Sequence, residues 1–260
     1  MSEGSQKVQT ALRERYERAC RLDLDSQTRE CIEYLEHPEI LVAEFSDSFL
    51  TADVFDGRQE AFPRVEELPV LRRRRTDMAV RRLMEVGAVR VTERPDYHFR
   101  YVAREIVPLW TQQDTMDPLE RRSVGLDYVG ITDEDEPVPV LGVVNPPNAD
   151  APYLALLRLL TCLAEVATDA QIERANRFLF KGELVNRPAF DLHVLVMLPE
   201  ETDMVRKPQA PLVQLTRDLA HVFAQRLREE WQLPNMLRHV LCLTMDRARF
   251  DGLLSCSWRV

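Results

Sequence analysis

The sequence predicts an α/β protein (α+β overall): a mixed sheet flanked by helices in the C-terminal half, preceded by an N-terminal helix and hairpin module. Three observations predict this class. Across residues 122–245, short apolar runs alternate with longer amphipathic ones, as strands and helices packed in layers require. One run, "AFDLHVLVMLP", is almost continuously apolar, as expected for a central strand covered on both faces. Residues 72–104 read helix, glycine, strand, polar turn, strand, and carry ten arginines against four acids.

The elements follow in order. Val8, Leu12, Tyr16 and Ala19 share one helical stripe, and "TRECIEYLE" forms a second helix that presents Ile32 and Leu35 before "HPE" stops it. "ILVAEF" and "FLTADVF" read as strands, and Asp56-Gly57 between alternating runs reads as a hairpin turn. Met78, Leu83, Met84 and Val86 then mark a helix that Gly87 ends, with "AVRV" and "YHFRYV" as paired strands after it. That order is shared by a generic helix–hairpin unit and by the recognition helix and wing of a winged helix-turn-helix module. The polar stretch "TQQDTMDPLERRS" places a boundary near residue 115, giving units 1–115 and 116–260.

In the second unit, "GLDYVGI" and "VPVLGVV" are a strand pair around the acidic turn 133–136. "YLALLRLLTCLAEVA" is a buried helix whose polar residues Arg158, Thr161 and Glu165 trace one narrow stripe. Thr168 and Gln171, at capping-box spacing, open another helix. The run from Leu212 through Leu219 and Phe223 to Trp231 is a long amphipathic helix, followed by strands "HVLCLTM" and "LLSCSW".

With 45% hydrophobic and 30% charged residues, the chain has the composition of a folded globular protein. No apolar run approaches the roughly 20 residues of a membrane span, and no secretory leader is visible, so a cytoplasmic location is expected. The five cysteines are widely spaced, with no C-x-x-C, which suits reduced thiols. Among the eight glycines no phosphate-cradling spacing occurs, and no G-x-S-x-G elbow supplies an acyl-transfer serine. The five histidines lack zinc-site spacing, and His193 and His221 read as hydrogen-bonded structural residues. Net charge is −9, so the arginine-rich segment stands out against an acidic body. Arg72, Arg73, Arg74, Arg75, Arg81 and Arg82 are the candidate contacts for nucleic acid or for an acidic partner surface. Guanidinium forks suit phosphate and carboxylate alike.

Asp127 in "GLDYVGI", followed by a second strand and a helix, resembles the core of the restriction-endonuclease-like superfamily, the PD-(D/E)XK phosphodiesterases. In that family the first strand supplies an aspartate and the next an acid and a lysine two residues apart, which share a Mg²⁺ ion and its attacking water. Asp127 matches the first acid, but Val143 and Asn145 stand where the second acid and the lysine belong. The resemblance therefore implies a vestigial site, no cofactor and a non-catalytic binding role. The alternative is a Mg²⁺-dependent nuclease whose ligands have moved to Glu105, Glu120, Lys181 or the acidic turn. A third reading is an acidic scaffold protein whose arginines pair internally or between subunits of a homo-oligomer.

Overall fold

Side-chain caps open the first two helices, the second of them four residues ahead of the expected "TRECIEYLE". Thr10 accepts from the Arg13 amide to open α1 (Ala11–Ala19), and Asp23 accepts from the Ser26 amide to open α2 (Leu24–Glu36). Proline at the first helical position then starts α3 (Pro38–Asp53). The computed structural model describes residues 9–62, 74–111, 124–145, 152–184, 188–198, 210–230, 236–246 and 250–260.

The expected strands "ILVAEF" and "FLTADVF" are therefore corrected to a helix. Leu41, Val42, Phe45, Ser48 and Ala52 follow helical spacing and are buried on one face, where Phe45 meets Phe223 edge-on at 5.4 Å. The hairpin at Asp56-Gly57 is likewise a single 3₁₀ turn, Asp56–Gln59. Glycine is needed at 57 for space: a Cβ there would lie 2.2 Å from Thr111 Cγ2. In α2 the buried face is Gln27, Glu30, Cys31 and Tyr34, while Ile32 stays exposed.

Helix α4 (Arg74–Val86) ends at Gly87, whose φ of +75° suits a residue without a side chain. Strands β1 (Ala88–Val91), β2 (Arg94–Ile106), β3 (Leu126–Thr132) and β4 (Pro139–Asn145) form an antiparallel meander. Helices α5 (Pro152–Val166) and α6 (Asp169–Ala175), with a π turn at Asn176–Phe180, cross over to β5 (Phe190–Met197). Helix α7 (Ala210–Glu230) crosses to β6 (Leu237–Met245), and β4, β5 and β6 run parallel. Strand β7 (Leu253–Arg259) returns antiparallel to β6 and pairs in parallel with β1.

That last pairing overturns the open-sheet expectation: the seven strands close into one mixed barrel in the order β1 to β7, with helices outside it. The closing seam is short. Arg90 and Val91 face Leu253 and Leu254, the Arg90 and Thr92 amides donate to the Gly252 and Leu254 carbonyls, and the Glu93 carboxylate takes the Cys256 amide beyond. The expected wing, β1 with β2, is thus two staves of the barrel. Strands β2 and β3 hydrogen-bond to each other across the expected 115/116 boundary.

Closure explains the apolar strands. Leu192 and Val194 pack under the helices, while His193, Leu195 and Met197 point into the lumen, so neither face of β5 meets water. Outside, α1 and α3 cover α5, and every residue of α5 except the partly buried Leu154 is buried, its polar stripe included. Glu165 accepts from Arg13 at 2.6 and 2.9 Å and from the Thr10 hydroxyl at 3.0 Å. Each fully buried leucine of this helix contributes about 2 kcal/mol of hydrophobic stabilisation.

Arg174 fastens the far end of this layer. Its guanidinium donates to the carbonyls of Glu60, Pro108 and Trp110 at 2.6–2.8 Å and of Ala61 at 3.3 Å, and it stacks 4.0 Å from the Phe62 ring centroid. One side chain so holds two irregular segments that lie far apart in sequence.

Candidate functional site

The lumen has a polar end and an apolar end. At the polar end, β5 opens with Asp191 and His193, two residues apart and so on the same face. Tyr97 from β2, Tyr128 from β3 and Arg238 from β6 converge on them. Arg238 grips Asp191 through both oxygens, at 2.6 and 3.0 Å, and reaches out to Glu134 of the acidic turn at 2.6 Å. Burial alone would lower the Arg238 pKa, but its bonds to Asp191 and Glu134 outweigh that and hold it above the ordinary value.

The proton positions follow from counting donors. Tyr97 Oη lies 2.7 Å from Asp191 Oδ2 and 2.8 Å from His193 Nε2. It has one proton, and a carboxylate can only accept, so that proton goes to Asp191. His193 must then carry its proton on Nε2 and donate to Tyr97, which leaves Nδ1 to accept from the Tyr128 hydroxyl at 3.1 Å. The result is a directed chain from Tyr128 through His193 and Tyr97 to Asp191. Gly142, opposite Tyr128 on β4, makes room for it, since a Cβ there would lie 2.1 Å from Tyr128 Cζ. Phe99 closes the cluster, edge-on to His193 at 4.8 Å.

Carboxylate, imidazole and phenol are the ingredients of acid–base chemistry, but here they saturate one another. Tyr128, Asp191 and His193 are fully buried, and Tyr97 nearly so, so no substrate reaches them in this conformation. Burial brings the His193 pKa down to about 4, against the pull of Asp191 and with help from Arg238. A histidine depressed in the folded state favours folding fully above its unfolded value of 6.5, and that contribution disappears as pH falls toward 4. About 3 kcal/mol of stability should be lost across that window. Urea unfolding at stepped pH checks this: His193→Phe should be less stable than wild type at neutral pH yet lose about 3 kcal/mol less on acidification.

At the apolar end, where β4, β5 and β6 finish, α4 plugs the barrel. Its Ala79, Val80 and Leu83 join the lumen cluster with Val144, Met197 and Met245. The opposite face of α4 looks outward and exposes Arg81, Arg82, Met84, Glu85 and Val86.

Of the residues singled out in the sequence, Asp127 faces α5, away from the lumen. It accepts from Arg158 through both oxygens, at 3.0 and 3.1 Å, and from the Val144 amide at 2.8 Å. Those three bonds take up its acceptor sites where a cation would need them. Val143 is buried in the helix-side core, and Asn145 is buried at the end of β4. Glu105 lies on β2 with φ of +53°, and Lys181 is exposed after the π turn with φ of +54°. Glu120 lies outside the described residues, as do Arg72, Arg73 and the side chains of Arg74 and Arg75. Among the described residues, no group of three or more His, Cys, Asp or Glu side chains is placed to hold a metal ion. No helix among them is long and apolar enough to cross a membrane. No disulfide joins any of the five cysteines.

His193 is hydrogen-bonded, as its apolar setting implied, whereas His221 is exposed on α7. The lumen partners Tyr97, Tyr128, Asp191 and Arg238 went unrecognised in the sequence. The single local signal was the period-two pair Asp191 and His193 inside an apolar run.

The fold and site define a helix-plugged, seven-stranded mixed barrel with a self-satisfied polar lumen and a mixed cationic and apolar face at its plugged end. Compared with known protein families, curated proteins and solved structures, the chain matches none.

Proposed function

We propose that the chain acts by binding rather than by catalysis, and that its contact surface is the outward face of α4 with the adjoining β1–β7 seam. The ligand presents negative charge. The carrying observation is that α4 sets Arg81 and Arg82 beside Met84 and Val86, which are 48% and 38% exposed, on a helix whose other face is committed to the lumen. The engagement of Asp127 with Arg158 and of Asp191 with Arg238 supports the same reading, because the buried carboxylates are already neutralised within the fold.

Retention on an immobilised anionic polymer at low salt tests it. The chain should be retained despite its net charge of −9, and Arg81→Glu with Arg82→Glu should abolish retention while the chain stays folded by circular dichroism. Equal retention of both proteins would refute the assignment.

A further inference from the structure

We infer that the partner at the plugged end is an acidic protein segment carrying aliphatic side chains. This rests on the binding role proposed above and adds the identity of what is bound.

The surface is continuous. Arg82 and Val86 are one helical turn apart on α4. Val86 lies against Gly252, where an added Cβ would come 2.8 Å from Val86 Cγ1. The Gly252 carbonyl accepts from the Arg90 amide at 2.9 Å, and Arg90 stands opposite Leu253, itself 49% exposed. Arginine, valine, leucine and arginine are therefore neighbours drawn from three elements. Leu198, at the end of β5, adds another exposed aliphatic group at the same end of the barrel.

The chemistry of that face separates two anionic partners. Nucleic acid offers phosphates for the guanidinium groups, but it would lay charged oxygens against Met84, Val86 and Leu253 and desolvate them without an apolar counterpart. Proteins that grip single strands supply aromatic platforms for the bases. The seven exposed large apolar side chains among the described residues include no aromatic ring. The acidic body also repels a long polyanion along its length, whereas a short segment with carboxylates around aliphatic side chains can pair with Arg82 and Arg90 and keep its acids clear of Glu85. Arginines around a small aliphatic centre are the arrangement of an interface with charged rim and apolar core.

Selection tests this on the full chain with two random pools, one of displayed 12-residue peptides and one of single- and double-stranded DNA. Each pool is counter-selected on the Arg81→Glu, Arg82→Glu variant. The expected result is enrichment of peptides combining Asp or Glu with Leu, Ile, Val or Met. Their affinity should fall about tenfold in the arginine variant and about tenfold in Val86→Ser with Leu253→Ser. Enriched DNA that binds Val86→Ser, Leu253→Ser as well as wild type, with no peptide enriched, would overturn the inference and leave the binding role standing. No enrichment from either pool would overturn both. Circular dichroism and a cooperative unfolding transition for every variant exclude misfolding as the cause.

Discussion

Arg174→Met should lower the stability of the fold by about 4 kcal/mol, the sum of several buried carbonyls left without donors. Glu60, Ala61, Pro108 and Trp110 each offer a carbonyl to this guanidinium, and the Phe62 ring packs on its face. Methionine fills the volume but donates nothing. Lysine keeps the charge, yet its single ammonium cannot span carbonyls from two segments in one plane, so Arg174→Lys should recover less than half of the loss. Urea unfolding reads the global cost. Hydrogen exchange reads its location, because amides in 55–62 and 106–111 should lose protection before those of the barrel. Both variants unfolding within about 1 kcal/mol of wild type would show that the two segments hold without this clamp.

Asp127→Ala should cost about 4 kcal/mol, because it strands the Arg158 guanidinium in a site with almost no solvent access. It also removes the acceptor of the Val144 amide. Arg158 Nε already lacks a partner among the described residues, so the pair is not an optimal one. Replacing both charges, as Asp127→Leu with Arg158→Met, should therefore be milder than Asp127→Ala alone. A catalytic Asp127 predicts the reverse pattern: a fold indifferent to Asp127→Ala and a divalent-metal affinity that vanishes with it. Denaturation curves and magnesium titration calorimetry on the same variants separate the two accounts.

Much of the element order in the second half was readable, because helix and strand periods are local properties. Arg158, Thr161 and Glu165 mark the polar stripe of α5, and the strand runs around Asp127 and His193 are strands. Barrel closure was not readable. A central strand of an open sheet and a stave of a small barrel are both covered on two faces, so "FDLHVLVM" looks the same in either. The deciding contact, Arg90 and Val91 against Leu253 and Leu254, is two residues long and joins segments more than 160 residues apart.

Helix α3 reads as strand in the sequence because "ILVAEF" is rich in residues that favour strands, while its burial against α5 and α7 is tertiary. Within α4 the helix and its glycine stop were legible but its facing was not. Met84 and Val86 fit the apolar pattern yet point outward, and Ala79 and Val80 fill the lumen. The lumen network had no local signature, since Tyr97 and Asp191 lie 94 positions apart.

Tyr97, Tyr128, Asp191 and His193 satisfy one another inside a lumen shut off from solvent, which leaves the exterior of α4 to meet partners. Nitrogen-15 NMR of the His193 ring tests this most directly. A neutral imidazole protonated on Nε2, with no titration between about pH 5 and 8, is the predicted result. A proton on Nδ1 would contradict the assigned direction of the chain, and an imidazole that titrates near its unfolded value of 6.5 would mean that water enters the barrel and that Asp191, Tyr97 and His193 are open to a ligand.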